Sequence, residues 1–411
     1  MKRVVVTGMG VISPVGHSVP VFFNALCQQQ SGIQVLSHSW AKNLQSPFLA
    51  APVQLSVEDQ FTKLRRLALD RVAMLGLLAM KEAVEQAHWK TEAPKSARCG
   101  LFWGTGMGGA QTLETSYEGT FTKENYRPRP STIVAFMSNA TTGQIAIEYG
   151  IKGPSFTYSS ACSSSAVAIG EAFWAIRTGR IDSAFTGGSE AVLTRGSMLA
   201  WEALQTLAKP DTEHPERSCR PFSENRSGFV LGEGAGALIL ESLESAEARG
   251  VPILAEIVGY GNTTDATHIT QPDVDGQKRA MQEALSIARL APQDIHYLNA
   301  HGTATRIGDI QETLSIKAAF GKYAYSLPIS STKALHGHLM GATGAVELIA
   351  ALCALIQRQI PPTAFLTKAD PECDLDFISE GVRACPNIQT VMSNSFGFGG
   401  NNAVLVAKRF E

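Results

Sequence analysis

The sequence lacks several features that would assign it to a common class of protein. Its seven cysteines are odd in number, scattered and never spaced as Cys-x-x-Cys, which argues against a disulfide framework or a cysteine-based zinc site. No apolar run approaches the ~20 residues that a membrane-spanning helix needs, and the longest lies near residues 348–356. Gly8, Gly10 and Pro14 break the N-terminal apolar run before it reaches signal-peptide length. These absences predict a cytoplasmic protein with no membrane partner.

An excess of charge of one sign is also missing. Lys and Arg total 35 and Asp and Glu total 37, so the net charge of −2 gives no general attraction to nucleic acid. Apolar residues make up 44% and charged residues 18%, as in an ordinary folded globular chain. An anionic partner would have to meet a local group of cations, such as Lys63, Arg65 and Arg66.

What the sequence does contain is an alternation of strand-like and helical patterns. Apolar, β-prone runs occur at residues 4–6, 100–103 and 237–240, and long helical patterns separate them. One such pattern covers residues 63–86, with its apolar positions on one side. This alternation predicts an α/β fold.

The length of the chain predicts more than one core. Its 411 residues exceed the roughly 250–300 that one hydrophobic core supports. A strand-like run at residues 253–258 leads into Gly259-Tyr260-Gly261, much as the first strand leads into Gly8-Met9-Gly10. We therefore expect the second half to repeat the architecture of the first, with residues 1–249 in one half and 250–411 in the other.

Residues 104–109 fit the G-x-G-x-x-G pattern of a dinucleotide-binding loop and follow a strand-like run. A genuine nucleotide loop opens a helix at once and is followed by a strand that ends in an acidic residue. Residues 111–126 are instead polar and are predicted to be irregular, with no such strand. An oxidoreductase that binds NAD(P) at the Gly104 loop is therefore a remote alternative. Glycines that permit tight turns against a buried sheet explain the pattern better.

Cys162 stands where a strand-like run, residues 155–158, passes into a helix of small residues. The partial positive charge at a helix N-terminus favours a thiolate, and free N–H groups there can stabilise an oxyanion. A nucleophile is one interpretation. A buried, inert cysteine in a packed helix is the commoner situation for an arbitrary cysteine. Neighbouring catalytic groups have to decide between the two.

Two histidine-bearing segments supply such groups. His301 and His338 each follow a strand-like run, in segments rich in glycine and small polar residues. A histidine at a strand exit can exchange a proton near neutral pH, although a lone histidine is more often structural. His336 and His338 have no carboxylate or cysteine at ligand spacing beside them, so no metal site is predicted.

Together, Cys162, His301, Lys333, His338 and the Asn-Ser-Phe-Gly-Phe-Gly-Gly segment at 394–400 resemble the elongating ketosynthases, the β-ketoacyl-[acyl-carrier-protein] synthases of types I and II. The resemblance covers essentially the whole chain. Degradative thiolases carry a second cysteine near the C-terminal glycine motif, and initiating condensing enzymes carry a Cys-His-Asn set; this sequence has neither. The resemblance implies a thiolase-like α/β fold, with two similar βαβαβαββ halves in five αβαβα layers.

The resemblance also implies a reaction. An acyl group held as a thioester on Cys162 condenses with malonyl-[acyl-carrier protein], carbon dioxide is lost, and a 3-oxoacyl product forms, as in fatty-acid or related chain elongation. His301 and His338 bind the malonyl carbonyl and stabilise the enolate. The backbone N–H groups of Cys162 and Phe398 form the oxyanion hole, and Phe398 gates the acyl pocket. A specialised polyketide or aryl-polyene pathway, with the same chemistry and another acyl substrate, is the main alternative.

Further residues take roles by the same resemblance. Lys333 joins the catalytic set as a supportive charge that acts through neighbours. The supporting residues are Glu347, Asp309 and Glu312. The acyl pocket is expected to include Met107, Met198 and Phe398.

The implied partner is acyl carrier protein, loaded with an acyl or a malonyl group, whose phosphopantetheine arm brings the substrate. No further cofactor is expected. The basic residues Lys63, Arg65 and Arg66 are the docking candidates, whereas Glu202 would disfavour an acidic partner. The chain is expected to form a homodimer, or a heterodimer with a subunit that resembles a chain-length factor.

Overall fold

The computed structural model describes residues 1–36, 47–89 and 97–410. In these ranges the strands are β1 (Val4–Ile12), β2 (Gln34–Val35), β3 (Leu49–Ala51), β4 (Cys99–Gly104), β5 (Ser155–Tyr158), β6 (Ser183–Glu190), β7 (Leu231–Gly232), β8 (Gly234–Ser242), β9 (Ala255–Thr264), β10 (Tyr297–Asn299), β11 (Ile329–Ser330), β12 (Gln359–Ile360), β13 (Arg383–Ala384), β14 (Thr390–Gly397) and β15 (Asn401–Lys408). The helices are α1 (Val19–Cys27), α2 (Lys63–Arg66), α3 (Arg71–Gln86), α4 (Ala110–Thr122), α5 (Thr132–Phe136), α6 (Ala140–Tyr149), α7 (Ser164–Arg177), α8 (Arg195–Ala203), α9 (Leu243–Arg249), α10 (Val274–Ala288), α11 (Arg306–Phe320), α12 (Lys333–His336) and α13 (Thr343–Gln357).

Ten strands share one hydrogen-bonded order, β11-β10-β14-β15-β9-β1-β8-β6-β4-β5, and β1 meets β9 at the centre. Read from its outer edge to the centre, the N-terminal half has the order β5-β4-β6-β8-β1, and the C-terminal half has the order β11-β10-β14-β15-β9. In both halves these are the third, second, fourth, fifth and first strands of that half along the chain. The directions also repeat, because the three outer strands of each half run parallel and the remaining pairings are antiparallel. The predicted α/β fold with two similar halves is confirmed.

The helices complete five layers. Helix α3 packs on β1 and β8, and α10 packs on β9 and β15, so each covers one face of its own half. Helices α7 and α13 contact each other and the strands of both halves, which places them between the N-terminal and C-terminal halves of the sheet. Every residue of α13 from Thr343 to Leu355 is buried, as expected for a helix that is covered on all sides.

The repeated strand-and-glycine pattern has a packing cause. A Cβ atom at Gly10 of β1 would clash with the carbonyl oxygen of Ala79 in α3. A Cβ atom at Gly261 of β9 would clash in the same way with the carbonyl oxygen of Ala280 in α10. Only glycine lets a helix backbone lie this close to a strand. The same close approach is therefore used in both halves.

Two predictions about helices are wrong. The predicted helix at 63–86 is two helices, because the side chain of Asp70 accepts a hydrogen bond from the Val72 N–H at 3.0 Å and caps a new start. Residues 111–126 are not irregular, since α4 occupies most of them. That helix buries only Ala110, Ser116 and Gly119, and its large apolar residues Tyr117 and Phe121 are exposed.

By length and composition, one described stretch, Met340–Gln357, could cross a membrane. However, 89% of it is buried inside the protein, where its helix α13 lies between the two halves of the sheet.

Candidate active site

Cys162 lies on a sharp turn between β5 and α7. Ala161 has a φ of 52°, a left-handed conformation that is unusual for a residue with a side chain. Serine side chains hold the turn: Ser164 Oγ accepts from the Ser160 N–H at 2.9 Å and donates to the Ala161 carbonyl at 2.6 Å, and Ser163 Oγ donates to the Ser160 carbonyl at 2.8 Å. The serine-rich run after the cysteine therefore shapes the turn that presents the thiol.

Two backbone N–H groups converge on the Cys162 thiol. They belong to Cys162 itself and to Phe398, and both favour the thiolate. The loop that carries Phe398 can come this close because a Cβ atom at Gly397 would lie only 2.6 Å from the Ser160 carbonyl oxygen. The Phe398 ring stacks on Trp201, with 5.8 Å between the ring centroids. The geometry is that of an oxyanion hole with an aromatic residue at its edge.

The Cys162 side chain is buried, and this burial raises the pKa of the thiol to about 12. Lys333 and the two N–H groups act in the opposite direction but do not overcome it. The thiol is therefore protonated near pH 7. The sulfur needs a neighbouring hydrogen-bond donor that stabilises it as its proton leaves.

His338 is that neighbour. Its Nε2 atom lies 2.9 Å from Cys162 Sγ, and its Nδ1 atom lies 3.0 Å from Thr343 Oγ1. The Met340 N–H also points at Nδ1, at 3.3 Å. A backbone N–H can only donate, so Nδ1 accepts, and the neutral ring carries its proton on Nε2. That proton faces the sulfur and any carbonyl group beside it.

His301 completes the set. Its ring centroid lies 5.5 Å from that of His338, and the two rings are nearly perpendicular. Burial and the positive charge of Lys333 hold the pKa of both histidines well below the usual value. Both rings are therefore neutral near pH 7, and neutral imidazoles can donate a hydrogen bond without carrying charge into the site.

Lys333 is fully buried behind His301. Its ammonium group donates to the His301 carbonyl oxygen and pairs with Glu347, with Nζ to Oε1 at 2.7 Å and Nζ to Oε2 at 2.8 Å. Burial raises the pKa of Glu347 to about 7, and Lys333 opposes that rise. The ammonium group of Lys333 contacts the backbone of His301 and not its ring. The action of Lys333 on the two imidazole rings is therefore electrostatic.

Two further carboxylates shape the loop after β10. Glu312 accepts from the N–H groups of His301, at 2.8 Å, and Gly302, at 2.7 Å. Asp309 accepts from the Ala304 N–H at 3.1 Å. Burial raises the pKa of both carboxyl groups, that of Asp309 to about 7. Both residues sit where they can fix the backbone that carries His301.

Glu190 is a site residue that the sequence analysis missed. It is fully buried at the end of β6 and accepts from the N–H groups of Gly106 at 2.6 Å, Met107 at 3.2 Å and Gly341 at 3.0 Å. It thereby ties the Gly104 loop to the turn that follows His338. Burial raises the pKa of Glu190 to about 7. No local motif signals this residue, because all three donors are distant in sequence.

Glu190 also bears on the dinucleotide alternative. In a nucleotide site, the loop N–H groups of Gly106 and Met107 would bind a pyrophosphate. Here a carboxylate takes both donors. A Cβ atom at Gly104 would clash with the backbone of Ser165 in α7, so this glycine serves close packing. We do not retain the oxidoreductase alternative.

A cavity of about 470 Å³ leads from the surface to the thiol. Cys162, His301 and His338 lie at its inner end, and Phe229 and Phe398 line its wall. The wall also carries exposed apolar side chains, such as Leu204, Ile269 and Ile307, and a set of polar residues: Thr303, Thr305, Gln205, Gln271, Ser227 and Arg306. The shape suits a long, amide-bearing arm that carries a reactive group to the thiol.

The site could be mistaken for a metal centre. One ligand atom from each of Cys162, His301 and His338 lies within 4.8 Å of the other two. Two features disfavour a cation there. The Met340 N–H directs the proton of His338 to Nε2, so this nitrogen has no lone pair for a metal, and the buried charge of Lys333 repels a cation.

The predicted pocket and docking residues lie in different places. Met198 is fully buried in the same apolar cluster as Cys162, whereas Met107 is 45% exposed and does not line the cavity. The three docking candidates lie on and beside α2. Arg65 pairs with Glu148 at 2.6 Å and Arg66 pairs with Asp59 at 3.7 Å, and Lys63 has no ion pair in the described ranges. None of these three cations lines the cavity.

Comparisons with known proteins assign the chain to a family. The family model described as beta-ketoacyl synthase, N-terminal domain, matches residues 1–246, and the C-terminal domain model matches residues 254–367. The chain is 40% identical to 3-oxoacyl-[acyl-carrier-protein] synthase 2 of Staphylococcus aureus (strain COL), over 100% of this chain and 99% of that protein.

Two solved structures have nearly the same fold. A type II polyketide ketosynthase, AntDE, in complex with its acyl carrier protein AntF, aligns with a TM-score of 0.91 at 30% identity. The ishigamide ketosynthase/chain length factor aligns with a TM-score of 0.92 at 30% identity. In both cases the alignment covers 100% of each chain.

The fold and these matches define an acyltransferase that condenses acyl groups. The chain belongs to the β-ketoacyl synthase family.

Proposed function

We propose that this protein condenses malonyl-[acyl-carrier protein] with an acyl group on Cys162, releases carbon dioxide and forms 3-oxoacyl-[acyl-carrier protein]. The observation that carries the proposal is the 2.9 Å approach of His338 Nε2 to Cys162 Sγ, with His301 facing the same space. A thiol beside two neutral imidazoles can hold an acyl group and stabilise a carbanion next to it.

The first half-reaction is acyl transfer. The sulfur of Cys162 attacks the thioester carbonyl of the acyl donor, and the carrier thiol leaves with the proton that Cys162 gives up. The backbone N–H groups of Cys162 and Phe398 stabilise the tetrahedral oxyanion. Covalent capture divides a difficult carbon–carbon bond formation into two easier steps.

The second half-reaction is decarboxylation and condensation. The N–H groups of His301 and His338 bind the malonyl thioester oxygen, where negative charge develops as the bond to carbon dioxide breaks. The carbanion then attacks the acyl carbonyl on Cys162, the carbon–sulfur bond breaks with the sulfur leaving as a thiolate, and a proton from water restores the thiol. Lys333 assists through its charge, because it keeps both imidazoles neutral, and Glu347 compensates that charge.

The pocket and supporting residues follow from their positions. Met198 packs in the apolar cluster of Cys162 and the Phe398 N–H faces the thiol, so both can bound the acyl site, whereas Met107 donates its N–H to Glu190 and does not line the cavity. Glu312 and Asp309 hold the His301 loop. The phosphopantetheine arm of the carrier protein reaches the thiol through the cavity, and we propose that the enzyme needs no further cofactor.

Pairing with a second chain is supported by the edge of the sheet. Strand β5 ends the ten-stranded order, so one side of it is unpaired in the described chain. Phe156 in β5 is 43% exposed, and helices α6 and α5 beside it expose Ile147, Ile133 and Val134 by more than half. An open edge with apolar neighbours favours association with another chain. We propose a homodimer, with a chain-length-factor-like partner as the alternative.

Two pathways fit this chemistry. The Staphylococcus relative favours fatty-acid elongation in the cytoplasm, and the two polyketide-type structures favour a specialised chain. The large side chains of Met198 and Trp201 beside the thiol limit the size of the acyl group that fits there. The size of the accepted acyl group would in turn distinguish the two pathways. We further propose that residues 1–249 and 250–411 are the two structural halves.

The test is direct acylation. Purified protein and its Cys162→Ala variant are incubated with acyl-carrier proteins of increasing chain length, and the intact mass of each is measured. We expect an acyl adduct on the parent alone, followed by 3-oxoacyl product when malonyl-carrier protein is added. Cys219→Ala is the matched control, because Cys219 is also fully buried but belongs to a different apolar cluster from Cys162 and does not line the cavity. No adduct with any donor, with or without a partner subunit, would contradict the proposal.

A further inference from the structure

The mouth of the cavity carries a cation that the proposed reaction does not use. Arg306 lines the cavity, is exposed, and begins α11. Its guanidinium group makes no ion pair or hydrogen bond with another described side chain. The three cations predicted to dock the carrier lie elsewhere, on and beside α2.

The backbone under Arg306 is held rigidly. The buried guanidinium of Arg226 donates to the carbonyl oxygens of Thr305, at 3.2 Å, and Arg306, at 2.8 Å. Arg226 is itself neutralised by Asp370, at 2.7 Å, and by Asp309, at 3.4 Å. The charge of Arg226 is therefore used internally, whereas that of Arg306 remains directed to the solvent at the mouth.

The start of α11 adds donors beside this charge. The N-cap residue Thr305 makes no side-chain hydrogen bond to the first turn. Its hydroxyl instead lies 2.9 Å from that of Thr303, on the cavity wall. Thr305, Arg306 and Gly308 all line the cavity, so the positive end of the helix dipole lies at its wall beside the guanidinium.

Other charges near the mouth do not neutralise Arg306. Asp265 also lines the cavity, but its carboxylate accepts from the Asn402 side chain at 2.6 Å and from the Asp273 N–H at 3.1 Å. The Asp370 carboxylate is close enough to Arg306 for a weak electrostatic attraction, but it is hydrogen-bonded to Arg226. An anion at the mouth would thus meet one free guanidinium and a helix N-terminus.

We infer that Arg306 binds the phosphodiester at the base of the carrier protein's phosphopantetheine arm. The inference rests on the proposed function, since it takes the cavity to be the path of that arm. When the thioester reaches Cys162, the anionic end of the arm lies at the opening, where the arm joins the carrier. A guanidinium is well suited to a phosphate, because its planar fork of N–H groups can bind two oxygens.

The experiment compares three donors that carry the same acyl group: acyl-carrier protein, acyl-phosphopantetheine and acyl-pantetheine, which lacks the phosphate. The rate of Cys162 acylation is measured by intact mass for the parent, Arg306→Ala and Arg306→Lys. We expect Arg306→Ala to lower the second-order rate constant roughly ten- to hundredfold with the two phosphate-bearing donors, the usual effect of losing a charge-assisted hydrogen bond. The rate with acyl-pantetheine stays within about twofold, and Arg306→Lys recovers part of the loss.

Lys322→Ala is the matched control. It removes an exposed cation just beyond the opposite end of the same helix, and all three rates should remain at the parent value. Three results would overturn the inference: a loss with acyl-carrier protein alone, which would assign Arg306 to the protein surface of the carrier; an equal loss with acyl-pantetheine, which would indicate a distorted cavity; or no loss at all. Failure of the parent to acquire any adduct would instead overturn the proposed function.

Discussion

We expect Met198 to limit the length of the acyl group that Cys162 can hold. Its side chain is fully buried and belongs to the apolar cluster that contains Cys162. Met198→Ala removes about three heavy atoms and opens space for roughly three more methylene groups of substrate. Each buried methylene contributes ~0.8 kcal/mol, so the preference for the longer chain should rise by about 50-fold in total.

The assay measures kcat/KM for acylation of Cys162 by a series from butyryl- to decanoyl-carrier protein. Truncation also destabilises the fold by about 2–5 kcal/mol, so urea denaturation has to show that the variant remains folded. Leu199→Ala is the control, because its neighbouring side chain is 36% exposed and points away from the cluster. A folded Met198→Ala protein with an unchanged chain-length preference would refute the reasoning.

Three other predictions concern the buried charges and the packing. Glu347→Ala should lower the free energy of unfolding by about 3–5 kcal/mol in denaturant titrations, because it leaves the buried charge of Lys333 uncompensated. Lys333→Met should move the acid limb of the kcat profile to higher pH, because removing the positive charge raises the low pKa values of the two active-site histidines. Gly10→Ala should cost at least about 1–3 kcal/mol because of the clash with Ala79, whereas Gly143→Ala, in open space on α6, should stabilise by about 0.5–1 kcal/mol.

Each of these has an outcome that would count against it. A Glu347→Ala protein as stable as the parent would mean that the Lys333 charge is satisfied in another way. In the parent, a loss of activity between pH 8 and 6 caused by imidazole protonation would contradict neutral histidines. Equal changes in the free energy of unfolding for Gly10→Ala and Gly143→Ala would show that the close packing of α3 on β1 does not require glycine.

The sequence predicted the residues of the site better than their chemistry. Cys162, His301 and His338 could be found because each lies in a recognisable local motif, and the structure brings their reactive atoms together. The sequence indicated a helix N-terminus that favours a thiolate but not the opposing effect of burial on the pKa of the thiol, because that burial arises from distant segments. Glu190 could not be predicted for the same reason. It belongs to no local motif, and the N–H groups that donate to its carboxylate lie 84, 83 and 151 residues away in the sequence.

The fold shows the same division. The repeated glycine pattern indicated two similar halves, and close helix packing explains it at Gly10 and Gly261. Helix α4 was missed although Leu113, Tyr117 and Phe121 recur at a spacing of four, because polar residues dominate the segment. The break before α3 depends on the Asp70 cap, whose second acceptor oxygen binds the N–H of Thr112, 42 residues away, at 2.7 Å.

The central claim is that two neutral histidines drive decarboxylation next to an acyl group on Cys162. The most direct measurement is a single turnover in which acylated enzyme is mixed with malonyl-carrier protein and both carbon dioxide and 3-oxoacyl product are counted. The parent should release one carbon dioxide for each product. His301→Ala should still acquire the acyl group on Cys162 but release carbon dioxide at least about a hundredfold more slowly, as expected when one donor to a developing oxyanion is lost. Undiminished decarboxylation by His301→Ala would contradict the account.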